Sequence, residues 1–88
     1  MESKVFNLEI LTPNKKVFSG SVTSLVAPGE IGYLGVLANH APLVTTLVPG
    51  NITTRDPAGS PRTLRSTGTG FLEVYRNTAT VLVEGVSE

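Results

Sequence analysis

The sequence has no cysteine and only one histidine. Without cysteine there are no disulfides, no thiol catalysis and no cysteine-based zinc site. A single imidazole cannot build a His-rich metal centre, and no metal or cofactor is expected. Charge of one sign is missing too. Seven Lys and Arg offset seven Asp and Glu over 88 residues, so no net field draws in nucleic acid or anionic lipid. The basic residues Lys4, Lys15, Lys16, Arg55, Arg62, Arg65 and Arg76 are scattered, whereas a nucleic-acid binder gathers them on one face. No apolar run approaches the ~18 residues of a membrane span, and "MESKVFNLEI" lacks the apolar core of a signal peptide. The expectation is a soluble chain that meets a membrane only through a partner.

Helical patterning is also absent. Six prolines and nine glycines leave no uninterrupted window with helical apolar spacing before residue 71. The period that is present is two. In "VFNLEILT", Phe6, Leu8 and Ile10 point one way and Asn7 and Glu9 the other. "SVTSLVA" (21–27), "PLVTTLV" (42–48) and "TATVLVE" (78–84) read as strands rich in Val, Leu and Thr. "FLEVYRN" (71–77) alternates less cleanly and reads as a strand buried on both faces near one end. Pro28-Gly29 and Pro49-Gly50 are each expected at the centre of a type II turn. "DPAG" (56–59) fits a type I turn, so "NITTRD" and "PRTLRST" flank a hairpin whose polar arms suggest a sheet edge. Strands at this spacing predict an all-β fold, an antiparallel β-sandwich or flattened barrel of about eight to ten short strands. Residues 1–88 read as one domain, and the last strand is expected to end near Glu84.

Chemistry has little to stand on. No GxSxG elbow and no GxxxxGK phosphate loop is present, and "GTGF" (68–71) precedes a strand rather than a helix. The carboxylates, from Glu2 to Glu88, are spread along the chain. His40 is the one histidine available as a base. It lies in "ANHAP", where Asn39 tolerates a left-handed backbone and Pro42 pushes Ala41 towards an extended one. The segment reads first as a rigid corner between strands and second as a partner contact. The aliphatics before it carry a different signal. With Leu34 and Val36 inside, Tyr33 and Leu37 face out, and contiguous exposed apolar surface marks an interaction site unless the domain covers it. Three readings follow: an adaptor, a free-standing β-sandwich module binding a peptide or small ligand, and an enzyme based on His40.

The stretch Gly32-Tyr33-Leu34-Gly35-Val36-Leu37-Ala38-Asn39-His40-Ala41-Pro42-Leu43 resembles the signature of the epsilon subunit of rotary F-type ATP synthases. "LEILTPNKKVFSG", "SLVAPGEIG", "LVPGNI" and "GTGFLEVYRNTATVLVEG" are similar to other segments of that family, in the same order. The resemblance implies a β-sandwich in the central stalk that binds the gamma subunit and the loops of the membrane c-ring. It implies no catalysis of its own, and a place on the cytoplasmic face of the inner (plasma) membrane if the source is bacterial. Partner contacts are expected at Glu30, Tyr33, Leu34, Leu37 and His40. Gly32, Gly35, Asn39 and Pro42 are expected to shape the turns. The chain departs from the family pattern in several places. The family's C-terminal pair of helices is expected to be absent, so the inhibition and ATP binding attributed to them are not carried over. Ala38 stands where the signature has proline, which removes a φ restraint. Thr69 replaces a glycine. Tyr33 stands where some members have an acid, so any ring contact falls to its ring face, its hydroxyl or the neighbouring Glu30.

Overall fold

Side-chain alternation sets the first strand. In β1 (Phe6–Leu11), Phe6, Leu8 and Ile10 are buried and Asn7 is exposed, because a pleated strand turns successive side chains to opposite faces. In this computed structural model, which describes residues 4–87, seven further strands follow: β2 (Lys16–Val22), β3 (Ser24–Gly29), β4 (Gly32–Leu37), β5 (Leu43–Leu47), β6 (Gly50–Arg55), β7 (Pro61–Tyr75) and β8 (Thr78–Ser87). Glu2 and Glu88, two of the scattered carboxylates, lie outside the described residues. No helix occurs among the described residues. The single strand expected over 21–27 is two strands. They part at a bend on Thr23, whose N–H donates to the Arg55 carbonyl (2.8 Å). The last strand runs past Glu84 to Ser87, where it pairs with Arg65.

The strands form one sheet in the order β2-β1-β8-β7-β5-β3-β4, with β6 paired to both β3 and β7. The sheet is mixed, not wholly antiparallel. Among the described residues β1 and β8 run parallel, and every other pairing is antiparallel. Asn77 accounts for the exception. Its carbonyl accepts from the Asn7 N–H (3.1 Å) and its side-chain amide donates to the Val5 carbonyl (3.0 Å). Those bonds fix the start of β1 beside the start of β8, so both strands leave in the same direction.

β7 closes the fold. It has 15 residues, pairs with β6 through Pro61–Ser66 and with β5 through Gly70–Val74. The sheet folds over where its register with β8 shifts between Thr67 and Gly70, beside Gly68 at φ 71°. At Gly70 an added side chain would strike the Leu82 carbonyl oxygen, so only glycine lets β7 and β8 approach there. The result is a flattened, sandwich-like barrel around Leu8, Ile10, Leu25, Leu47, Ile52 and Leu72, all buried.

Two further expectations give way. Residues 71–77 alternate cleanly: Leu72 and Val74 are buried, while Phe71, Glu73 and Tyr75 face solvent. Their aromatic content, which suggested two-sided burial, lies on the open face. The 50–66 hairpin is not an edge either. Its turn forms as expected, with the Gly59 N–H donating to the Asp56 carbonyl (2.8 Å) and the Ala58 N–H to the Asp56 carboxylate (2.9 Å). Yet β3 pairs along the outer side of β6, because Ile52, Thr54, Leu64 and Ser66 give the hairpin one face towards the core.

Candidate functional site

The signature segment begins in the hairpin of β3 and β4. The Pro28-Gly29 pair is not its turn. Both residues lie in β3, with Pro28 opposite Tyr33 and Gly29 opposite Gly32, and the turn is Glu30-Ile31. A strand admits proline where its missing N–H would point away from a partner strand's acceptor, and Pro28 still offers its carbonyl to the Val48 N–H (2.9 Å). Gly29 is needed for close approach: a Cβ would lie 2.9 Å from the Gly32 carbonyl oxygen and 2.9 Å from the Leu34 side chain. Gly32 opens β4 just after that turn, with φ 139°, a backbone conformation that residues with side chains rarely adopt. Pro49-Gly50 is not a type II turn either, since Gly50 opens β6 and has no positive φ. It is glycine because a Cβ would meet Pro28 (2.8 Å) and the Tyr33 hydroxyl (2.9 Å).

Along β4 the inward and outward sets separate as expected. Val36 is buried and Leu34 packs partly against the core, while Tyr33 (59 % exposed) and Leu37 (65 %) face out. The Tyr33 hydroxyl is already engaged, accepting the Asn51 N–H at 3.2 Å. It ties β4 to the start of β6 and leaves the ring face for a partner. Gly35 has open space above it: an added Cβ would come no nearer than 4.0 Å to the Leu25 carbonyl oxygen. Beside the turn, Gly29, Glu30, Ile31, Gly32, Tyr33, Leu34, Leu43 and Thr45 line an open hollow of about 310 Å³. Ile31 is fully exposed at the tip. It is not among the contact residues expected from the sequence, although its place beside Gly32 in the Gly29–Gly32 turn is a signal that could have found it.

The His40 corner lies at the other end of β4, roughly 20 Å from Glu30 at ~3.4 Å per strand residue. The structure therefore places the expected contact residues along a strip: Glu30, Tyr33 and Leu34 around the hollow, Leu37 and His40 at the corner. Asn39 has φ 63°, the left-handed conformation expected of it, and its N–H donates to the Asn77 side-chain oxygen (2.7 Å). Asn77 itself has φ 58° and, with Arg76 at 51°, makes the two-residue β7–β8 turn, whose paired positive φ values fit type I′. With alanine at position 38 no proline restrains the backbone there, and this side-chain bond holds the corner. No local pattern signals Asn77's part, because its partners lie 38 and 72 residues away. His40 is half-buried, and its Nδ1–H donates to the Ala41 carbonyl (2.7 Å). No nucleophile shares a hydrogen bond with it among the described residues. Pro42 is exposed just before β5. No group of three or more His, Asp or Glu is placed to hold a metal among the described residues.

This arrangement can present a surface, and comparison with known proteins bears on which kind. The model of the ATP synthase delta/epsilon chain beta-sandwich domain matches residues 5–88. The chain belongs to that family. Among curated relatives, the ATP synthase epsilon chain of Pelotomaculum thermopropionicum is 51 % identical over 82 residues, 93 % of this chain and 60 % of the relative. That of Chlorobaculum tepidum is 43 % identical over 84 residues, 96 % of this chain and 94 % of the relative. The chain thus spans about three fifths of some family members and nearly all of others. A chain of the Euglena gracilis mitochondrial ATP synthase OSCP/F1/c-ring assembly shares the fold at TM-score 0.87 and 18 % identity, covering 99 % of this chain and 54 % of that one. A chain of the Tetrahymena thermophila central stalk and c-ring does so at 0.79 and 17 %, covering 93 % and 65 %.

Proposed function

We propose that this domain is a non-catalytic rotor subunit of an F-type ATP synthase. In this reading it joins the gamma subunit to the c-ring and passes proton-driven rotation of the ring to the shaft, at the cytoplasmic face of a bacterial plasma membrane. The observation that carries it is the match to epsilon chains along nearly the whole length of a relative, 94 % of the Chlorobaculum protein. The strip from Glu30 to His40 is the contact surface, with Leu34 and Leu37 as apolar anchors and the Tyr33 ring face in place of an acid. Gly32, Asn39 and Pro42 hold its shape, while Gly35 in mid-strand leaves its outer face open. The β-sandwich acts as one unit in that coupling.

The build suits a part under load. Short turns limit slack, and a stable attachment needs an interface of about 1,000 Å² or more. The His40 enzyme has less support, since the imidazole's hydrogen bond goes to the next residue's carbonyl. The test mixes the chain with purified gamma subunit in size-exclusion chromatography at micromolar concentration. Co-elution is expected, and separate elution contradicts the proposal. In membrane vesicles, Leu37→Asp is expected to reduce ATP-driven proton pumping. Unchanged pumping removes Leu37 from the contact surface.

A further inference from the structure

Strand β4 is a sheet edge, bonded to β3 alone among the described residues. Its six residues carry no charge and no proline, and its register with β3 is uninterrupted. Sheet edges of that kind pair readily with another strand. The groups it leaves free can be assigned. Hydrogen-bonded and non-hydrogen-bonded pairs alternate along an antiparallel ladder. Pro28 has no N–H, so its pair with Tyr33 is of the non-bonded kind, and its carbonyl indeed turns away to the Val48 N–H. Val26–Gly35 and Ser24–Leu37 then follow the same pattern. The backbone N–H and C=O groups of Tyr33, Gly35 and Leu37 therefore all point to the open edge.

A second feature lies against the first. The hollow of about 310 Å³ lined by Ile31, Leu34, Leu43 and Thr45 opens beside this edge. A strand added to β4 would alternate its side chains, and the one opposite Leu34 would point inward to that hollow. The free backbone groups require an extended segment and the hollow requires an apolar side chain.

We propose that β4 accepts an extended, apolar-alternating segment of the shaft subunit as an added strand, so that the domain is held by backbone hydrogen bonds to Tyr33, Gly35 and Leu37. This rests on the rotor reading above and deepens it. Main-chain pairing supplies affinity and the hollow supplies selectivity. A bond made through the backbone also holds register along the strand under torque.

Amide hydrogen exchange on the complex with gamma, compared with the free chain, tests it. The amides of Tyr33, Gly35 and Leu37 are expected to slow by at least about tenfold, while those of Leu34 and Val36, bonded to β3 already, change little. Gly35→Pro removes only an N–H that faces the open edge. It is expected to keep the fold and weaken gamma binding by roughly tenfold, through the loss of one backbone bond and an acceptor left without its donor. If gamma binds but protection is uniform along β4, or Gly35→Pro folds and binds gamma as tightly as wild type, strand addition is wrong. A dimer of the free chain with the same alternate protection places a second copy there and also overturns it. Failure of gamma to bind at all rejects the rotor reading and, with it, this one.

Discussion

The two ends of the strand order, β2 and β4, are both sheet edges, and they are built from different residues. On β2, Lys16 pairs with Glu9 of β1 (3.2 Å), the register with β1 shifts between Ile10 and Leu11, and Arg62 lies over the Phe18 ring (5.7 Å). Charge, a bulge and a covering side chain each discourage chance pairing. On β4, Gly32-Tyr33-Leu34-Gly35-Val36-Leu37 has none of these. One edge is closed to strangers by its chemistry and the other is left open. An open apolar edge is hazardous in a free chain and is explained if a permanent partner covers it. The contrast also separates fold from function, because both edges rest on the same core while only β4 belongs to the signature segment.

Substitutions can break or sharpen this contrast. The largest effect is expected from Gly70→Val, which places a side chain against the Leu82 carbonyl at the fold between β7 and β8. It removes the frame that both edges share and should destabilise by about 3 kcal/mol or more, read from urea unfolding. A smaller effect, at the corner after β4 and at the start of β1, is expected from Asn77→Gly. That change keeps the positive φ of 58° and loses the side-chain bonds to Asn39 and Val5, for about 1–2 kcal/mol. Asn77→Asp retains the acceptor for Asn39. The Asn39 amide should therefore stay protected from exchange in the aspartate variant and lose protection in the glycine variant. The smallest change in stability is expected from Lys16→Ala, a few tenths of a kcal/mol, because the Lys16–Glu9 pair is well exposed. Its informative consequence is association: removing that charge should make β2 stickier in light scattering, whereas a similar change far from either edge should not.

Much of this was legible in the sequence. The alternation of Phe6, Leu8 and Ile10 identifies β1, "DPAG" sets the β6–β7 turn through the Asp56 bonds, and Asn39 adopts the left-handed backbone its type allows. The side-chain parity of β4 follows from the same period of two. The misreadings are non-local. Pro28-Gly29 looks like a turn in isolation, yet pairing with Tyr33 and Gly32 keeps it in a strand and moves the turn to Glu30-Ile31. The parallel β1–β8 pair depends on Asn77 reaching Val5 across 72 residues. Nor does local pattern reveal that the Tyr33 hydroxyl is bonded to Asn51 or that β6 is flanked by β3. For the candidate site, the sequence pointed to the Glu30–His40 segment but not to its open backbone groups, which follow only from the register against Pro28.

The absence of cysteine makes one measurement especially clean. A single cysteine can be introduced at Leu37 on the β4 edge or at Ser19 on β2, both exposed positions, and its reaction with a thiol reagent followed as gamma subunit is added. The account predicts that gamma shields Leu37→Cys and leaves Ser19→Cys as reactive as in the free chain. Equal shielding of both, or shielding of Ser19→Cys alone, would contradict it.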